Sequence, residues 1–240
     1  MQYIPPNYAT LFVATCNLLN LANPHRVYYE NQDAYDEREY ERKIGWIGER
    51  FHALNADVLA VQEVWDESAL KAAIGRSGLR YDFVSVPGAE NTPPHNGAQG
   101  TPRVGIATRL PVDHAQSFVD FPPGFGVDVP GLGPHTRFER PPFLVTLRMK
   151  HGQQVHVLTV HLKSKRPKFL QDAQGNHLED REDRKVGAMA SLRSLVMRGV
   201  EAAALRCIVI DLLQGTDTPL VVMGDFNDEP HSVTTQLVAA

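Results

Sequence analysis

The sequence predicts an α/β fold built on two sheets, and three observations carry that expectation. Four short apolar runs rich in strand formers end abruptly on polar or acidic residues, at Asn17, Glu63, His161 and Asp225. A helical segment separates the first two runs, and another separates the last two. Between these β-α-β units lie several strand-like runs with no helix among them, a pattern that favours antiparallel pairing.

Taken in order, Leu11 to Cys16 is a strand that stops at Asn17. After a loop carrying Asn23-Pro24, residues Tyr35 to Leu54 place Ile44, Ile47, Phe51 and Leu54 at helical spacing. Glu37, Glu39 and Glu41 come early, where the helix dipole favours acids. Val58 to Glu63 is the second buried strand, and Ser68 to Ser77 is a short helix expected to be capped by Ser68 and ended near Gly78. Tyr81–Val86, Val104–Thr108, Val112–Phe121 and Phe143–Met149 follow as strands. Pro87 to Pro142 holds 11 of the 17 prolines and 8 of the 18 glycines, so the long surface loops belong there. His151-Gly152 turns the chain into Val155–Val160, completing a hairpin. A charged patch from Glu179 to Lys185 opens a helical region to about Leu213, with Gly199 a candidate break, and Leu220–Met223 is the last buried strand.

Composition excludes several classes. With 240 residues, 42% hydrophobic and 22% charged, the chain is no disordered tail and should bury roughly 70–75% of its unfolded surface. No run approaches the roughly 18 apolar residues of a membrane span, and Met1 to Pro6 lacks the basic-then-apolar signature of a secretory leader, so a soluble, cytoplasmic chain with no membrane partner is expected. Cys16 and Cys207 sit in apolar runs without metal-ligand spacing and read as small hydrophobes in a reducing compartment. A net charge of -4 supplies no global field for a polyanion, so a phosphate-bearing ligand must be held by a few local groups or by a cation.

The two β-α-β units resemble one another. Val13-Ala14-Thr15-Cys16-Asn17-Leu18 and Val157-Leu158-Thr159-Val160-His161-Leu162 share an apolar strand, a Thr and a polar strand end, and each leads through a helix to a strand ending in an acid. Two such halves facing each other would bring four polar strand ends together, where α/β sheets bind ligands. Singly, each has a plainer explanation. Gly224-Asp225-Phe226-Asn227 is ordinary turn chemistry, His161-Leu162-Lys163-Ser164 a solvated basic loop, and Asn17 a strand-end side chain bonding to backbone. Only Glu63, a carboxylate after four apolar residues, needs a partner on its own account, and a hard cation is one natural choice.

Together these strings resemble the endonuclease/exonuclease/phosphatase superfamily of deoxyribonuclease I-like enzymes. Thr15-Cys16-Asn17, Gln62-Glu63, His161-Leu162-Lys163-Ser164 and Gly224-Asp225-Phe226-Asn227 stand in that family's order, over about residues 9 to 232. The resemblance implies a four-layered α/β/β/α sandwich with two packed mixed sheets, in a single domain over 1–240, and Mg²⁺- or Mn²⁺-assisted hydrolysis of a phosphoester. By the same resemblance Glu63 is the principal metal ligand and Asn17 assists at the metal or on a phosphate oxygen. Asp225 activates the attacking water, Asn227 positions that carboxylate or the phosphoryl group, and His161 stabilises or protonates an oxygen. Lys163 would add positive charge for the phosphate.

One departure stands out. Family members continue past the Gly-Asp-Phe-Asn strand to an Asp-His pair, whereas this chain ends 15 residues after Asp225, and His231 sits in a turn-like Glu229-Pro230-His231-Ser232. The expectation is a domain lacking its C-terminal strands, with a formed metal pocket and weak or absent turnover. A phosphoester substrate is expected, with nucleic acid admitted but not required: the net charge of -4, the absence of interleaved basic and aromatic stretches and the lack of a nucleic-acid module argue against tight duplex binding, although nucleases that rely on local contacts need none of these. The alternative is a non-catalytic scaffold of the same fold that binds a phosphate ligand or a partner. Against it, a cluster of acids costs stability unless a cation offsets the repulsion.

Overall fold

The computed structural model describes residues 10–29, 32–89, 101–172 and 174–239. Part of the Pro/Gly-rich stretch, residues 90–100, lies outside these. Contacts divide the chain into two units: one of the residues up to Ser117 with Phe143–Val160 and Thr218–Gly224, the other of Phe118–Pro142, His161–Asp217 and the residues from Asp225 onward.

In the first unit β1 (Val13–Leu21) and β2 (Val58–Val64) pair in parallel, joined by α1 (Glu37–Leu54). The helix starts on a reciprocal cap: the Glu39 amide donates to Asp36 Oδ1 at 2.7 Å, and the Asp36 amide donates to Glu39 Oε2 at 3.2 Å. Its buried face, Tyr40, Ile44, Ile47, Gly48 and Phe51, follows the expected spacing. It packs on α2 (Glu67–Ser77), where Gly48 lets the helices approach so closely that a Cβ there would lie 2.7 Å from Arg76 Cβ. Gly78 closes α2 in the left-handed conformation, as expected. Ser68, however, does not cap it. The cap position is Asp66, and the Ser68 hydroxyl exchanges hydrogen bonds with the Asn23 side chain instead.

The strands after α2 pair antiparallel, with one exception in the second sheet. β3 (Phe83–Ser85) and β4 (Arg103–Thr108) complete a four-stranded sheet ordered β1-β2-β4-β3. The second sheet runs β10-β9-β8-β5, with β5 (Val112–Ser117), β8 (Phe143–Arg148), β9 (Gln154–His161) and β10 (Leu220–Asp225). Here β10 runs parallel to β9, as the bonds from the His156 amide to Pro219 O and from the Leu162 amide to Asp225 O show. β5 stops four residues before the expected end at Phe121, while the β8–β9 hairpin forms as its turn residues indicate. A shared apolar layer packs the sheets on each other: Val58, Ala60, Val104 and Ile106 from one meet Phe143, Val145, Leu147, Val155, Val157 and Met223 from the other. Within it the buried Gln62 amide donates to Thr15 Oγ1 (3.1 Å) and to Thr159 Oγ1 (3.2 Å), tying together the threonines of the two similar strands. The fold is therefore α/β with two packed mixed sheets.

The second unit holds what the sequence left as loop. A two-stranded ribbon of β6 (Val127–Val129) and β7 (Gly133–His135) forms within the Pro/Gly-rich stretch, and β6 packs on α3 (Arg184–Leu213). α3 runs 30 residues without a break at Gly199. A short α4 (Val233–Ala239) packs on α3, placing the last described residues in a helix. Among the described residues no helix is long and apolar enough to cross a membrane.

Candidate active site

The candidate residues fall into two sets, one in each unit. In the first, the end of β2 delivers Glu63 in the left-handed backbone conformation, with φ at 59°. A side chain there costs of order 1–3 kcal/mol and persists only where its surroundings hold it. They do so through β1. Its pairing with β2 slips between Asn17 and Leu21, Leu19 and Asn20 also adopt positive φ (49° and 62°), and the bulge aims two donors at one carboxylate. Asn17 Nδ2 donates to Glu63 Oε1 at 3.0 Å and the Asn20 amide to Oε2 at 3.1 Å, while Asn17 Oδ1 accepts from the Leu19 amide at 2.9 Å. The acid is half-buried and fixed in orientation.

In the second set His161, the last residue of β9, is 3% exposed, and its Nε2 lies 3.6 Å from Asp225 Oδ2. Asp225 closes β10. Its Oδ1 accepts the Asn227 amide at 2.8 Å, and Asn227, itself left-handed at φ 52°, donates its side chain to Leu162 O at 2.8 Å. Burial and the nearby Arg140 guanidinium push the His161 imidazole down to about 3, against the opposing pull of Asp225, so the ring is neutral at ordinary pH. Its Nδ1 is a buried atom without a hydrogen-bond partner among the described residues.

A family model described as the Endonuclease/Exonuclease/phosphatase family matches residues 14–240. The chain belongs to this family, whose members are phosphoester hydrolases. Its fold resembles a beta-hairpin deletion mutant of beta toxin from Staphylococcus aureus (TM-score 0.58, 16% identity), with 95% of this chain covering 70% of that one. It also resembles sphingomyelinase C from Streptomyces griseocarneus (0.54, 15%, with 96% of this chain covering 69%). A beta toxin F277A, P278A mutant with bound magnesium ions matches at 0.51 and 17% identity, where 83% of this chain spans 61% of that chain, less than two thirds of its length. No curated protein sequence matches.

The donor set suits the metal that this family's chemistry invites. Glu63 and Asn17 carry hard oxygens, and Mg²⁺ typically uses one or two carboxylates while keeping waters and substrate oxygens as its other ligands. Among the described residues no group of three or more His, Cys, Asp or Glu converges. Asn17 here turns its nitrogen to Glu63 and its oxygen to Leu19, so its observed work is to orient the carboxylate.

Lys163 is placed otherwise than a phosphate-binding cation requires. It is 6% exposed, and its ammonium lies 3.4–3.5 Å from Ser164 O, Ser164 Oγ and Arg166 O, pointing into its own loop. Burial lowers its pKa, with Glu139 opposing that shift. The sequence reading missed Arg140, which holds the end of β9 by donating to His161 O (3.0 Å) and Leu162 O (2.7 Å). It also missed Glu201, a fully buried acid of α3 that accepts both the Glu139 amide (3.0 Å) and the Lys163 amide (2.6 Å). One signal existed for Glu201: a lone acid inside Val200-Glu201-Ala202-Ala203-Ala204-Leu205, the same argument that singled out Glu63.

Proposed function

We propose that this chain is a divalent-metal-dependent phosphodiesterase of its family, acting through in-line attack of water on the phosphorus. The observation that carries the proposal is Glu63: a carboxylate held in a strained backbone conformation at a strand end, with one donor fixed on each oxygen. Strain kept in place by a bulge in a neighbouring strand is characteristic of functional positions.

In this reading Glu63 holds Mg²⁺ or Mn²⁺, with Asn17 setting the plane of the carboxylate. The bound cation would neutralise charge on the non-bridging oxygens. Asp225 accepts the proton of the attacking water as the phosphorus–oxygen bond to the leaving alcohol breaks, that alcohol taking its proton from solvent, and Asn227, through its amide on Oδ1, keeps the carboxylate turned for the task. His161, buried with its Nε2 3.6 Å from Asp225 Oδ2, sets a neutral ring beside that carboxylate. Lys163 and Arg140 hold the loop after β9 in shape.

Two measurements on the purified chain test this. Calorimetric titration with Mn²⁺ and Mg²⁺ should show saturable binding that disappears in Glu63→Gln, while the metal-free variant stays folded but melts somewhat below the wild type, because the new side-chain nitrogen faces a donor from which the carboxylate accepts. Hydrolysis of bis(p-nitrophenyl) phosphate should require the metal, and Asp225→Asn should lower kcat by roughly 10²–10⁴-fold with metal affinity unchanged. Hydrolysis indifferent to chelator and to both substitutions would end the proposal. Metal binding without any turnover would favour the non-catalytic scaffold.

A further inference from the structure

We propose that the exposed face of α1 carries a stacking subsite for an unpaired nucleobase and its phosphate, which would make single-stranded nucleic acid the substrate class; this rests on the phosphodiesterase reading above. A cavity of ≈ 340 Å³ opens there, lined by Tyr35, Glu39, Arg42, Lys43 and Trp46. That volume lies at the lower end of small-molecule sites, roughly 300–1,000 Å³. Trp46 is 59% exposed, an unusual state for the largest apolar side chain. Arg42 and Arg50 stand one helical turn to either side of it, and the Arg50 guanidinium lies 5.5 Å from its ring, outside the cavity lining. Lys43 Nζ sits 5.0 Å from the Tyr35 ring. Arg42, Lys43 and Arg50 thus surround Trp46 on a helix face that they share with Glu39 and with Glu49, which lies 3.9 Å from Arg50.

The chemistry selects among ligands. A pocket with an exposed indole and more cations than acids suits a planar ring carrying a negative charge, and disfavours a quaternary ammonium. Arg42 makes no hydrogen bond or ion pair among the described residues, so its guanidinium is available to a phosphate. Glu39 is fixed by the Asp36 amide and offers an acceptor to an exocyclic amine such as that of cytosine. The pocket is also wired to the candidate metal ligand. Lys43 Nζ donates to Leu19 O (2.6 Å) and to Tyr35 Oη (2.9 Å), Tyr35 donates to Asn20 O (3.1 Å), and the Asn20 amide holds Glu63 Oε2. The Tyr35 and Lys43 wall of the pocket is thus bonded to the same bulge that orients Glu63.

The two tryptophans make the test direct, because Trp46 is exposed while Trp65 is 2% exposed. With chelator present, so that no turnover enters, a short oligodeoxycytidylate should quench the Trp46 emission saturably and leave the Trp65 component untouched. Trp46→Ala should weaken binding of the end-labelled oligonucleotide, read by anisotropy, by roughly 5- to 150-fold, the loss of one stacked base. Arg42→Ala should weaken it and flatten its salt dependence. Unchanged Trp65 emission in Trp46→Ala certifies its fold. Equal affinity for the wild type and Trp46→Ala, equal affinity for an abasic oligonucleotide, or quenching by anionic lipid vesicles but not by the oligonucleotide would each overturn the subsite. The metal titration with Glu63→Gln is independent of these outcomes, so failure of the subsite and failure of the hydrolase reading remain distinguishable.

Discussion

His161 is a histidine that folding keeps uncharged. Its folded value is about 3 against an ordinary value of 6.5, so between those limits the unfolded chain binds a proton that the folded chain refuses. The sign follows: stability contributed by the neutral ring is complete above about pH 6.5 and is lost as the pH falls toward 3, by up to about 1.4 kcal/mol per pH unit. Urea unfolding at a series of pH values should show this slope in the wild type and a shallower one in His161→Asn. Identical slopes would mean that other groups carry the acid sensitivity. At this scale the sequence disclosed identities better than states. Glu63 and Asn17 could be named because an acid or an amide ending an apolar strand is visible in one dimension. Their mutual hydrogen bond depends on a slip in β1 that no residue type announces, and the burial of Lys163 depends on a loop folding back over its own side chain.

Elements were legible where periodicity was long. α1 and the buried strands β2, β4 and β9 lie where their apolar residues put them, because burial enforces that pattern. β6, β7 and α4 were not legible: three-residue strands and a seven-residue helix have no period to read, and they exist through packing in the second unit. Glycine shows the same division. Gly199 sits mid-helix with nothing within 4 Å of a would-be Cβ, so Gly199→Ala should stabilise by about 0.4–1 kcal/mol. Gly48→Ala, equally helical, should instead destabilise, because Arg76 Cβ stands 2.7 Å from the added carbon. Gly224→Ala should be worst: the new Cβ would fall 2.0 Å from Val160 O, at a φ of 146° open to little but glycine, for a loss of at least ~2 kcal/mol. Thermal unfolding of the three variants checks the order.

For the whole molecule, net charge and composition indicated a globular chain without a general affinity for polyanions. What they concealed is where single cations stand, such as Arg42 beside the exposed Trp46, since net charge carries no position. Also hidden was the path of the chain between the two units, which it crosses after residues 117, 142, 160, 217 and 224. Neither unit is a continuous stretch, and neither can unfold without dragging segments whose other ends belong to its neighbour. Thermal unfolding should then be one transition, with calorimetric and van 't Hoff enthalpies in agreement; two resolved transitions would contradict it. The crossings also set the terms for modular exchange. A domain joined by a single linker can be swapped between proteins with one splice, but grafting either of these units would take five, so recombination with relatives could trade surface loops and never halves.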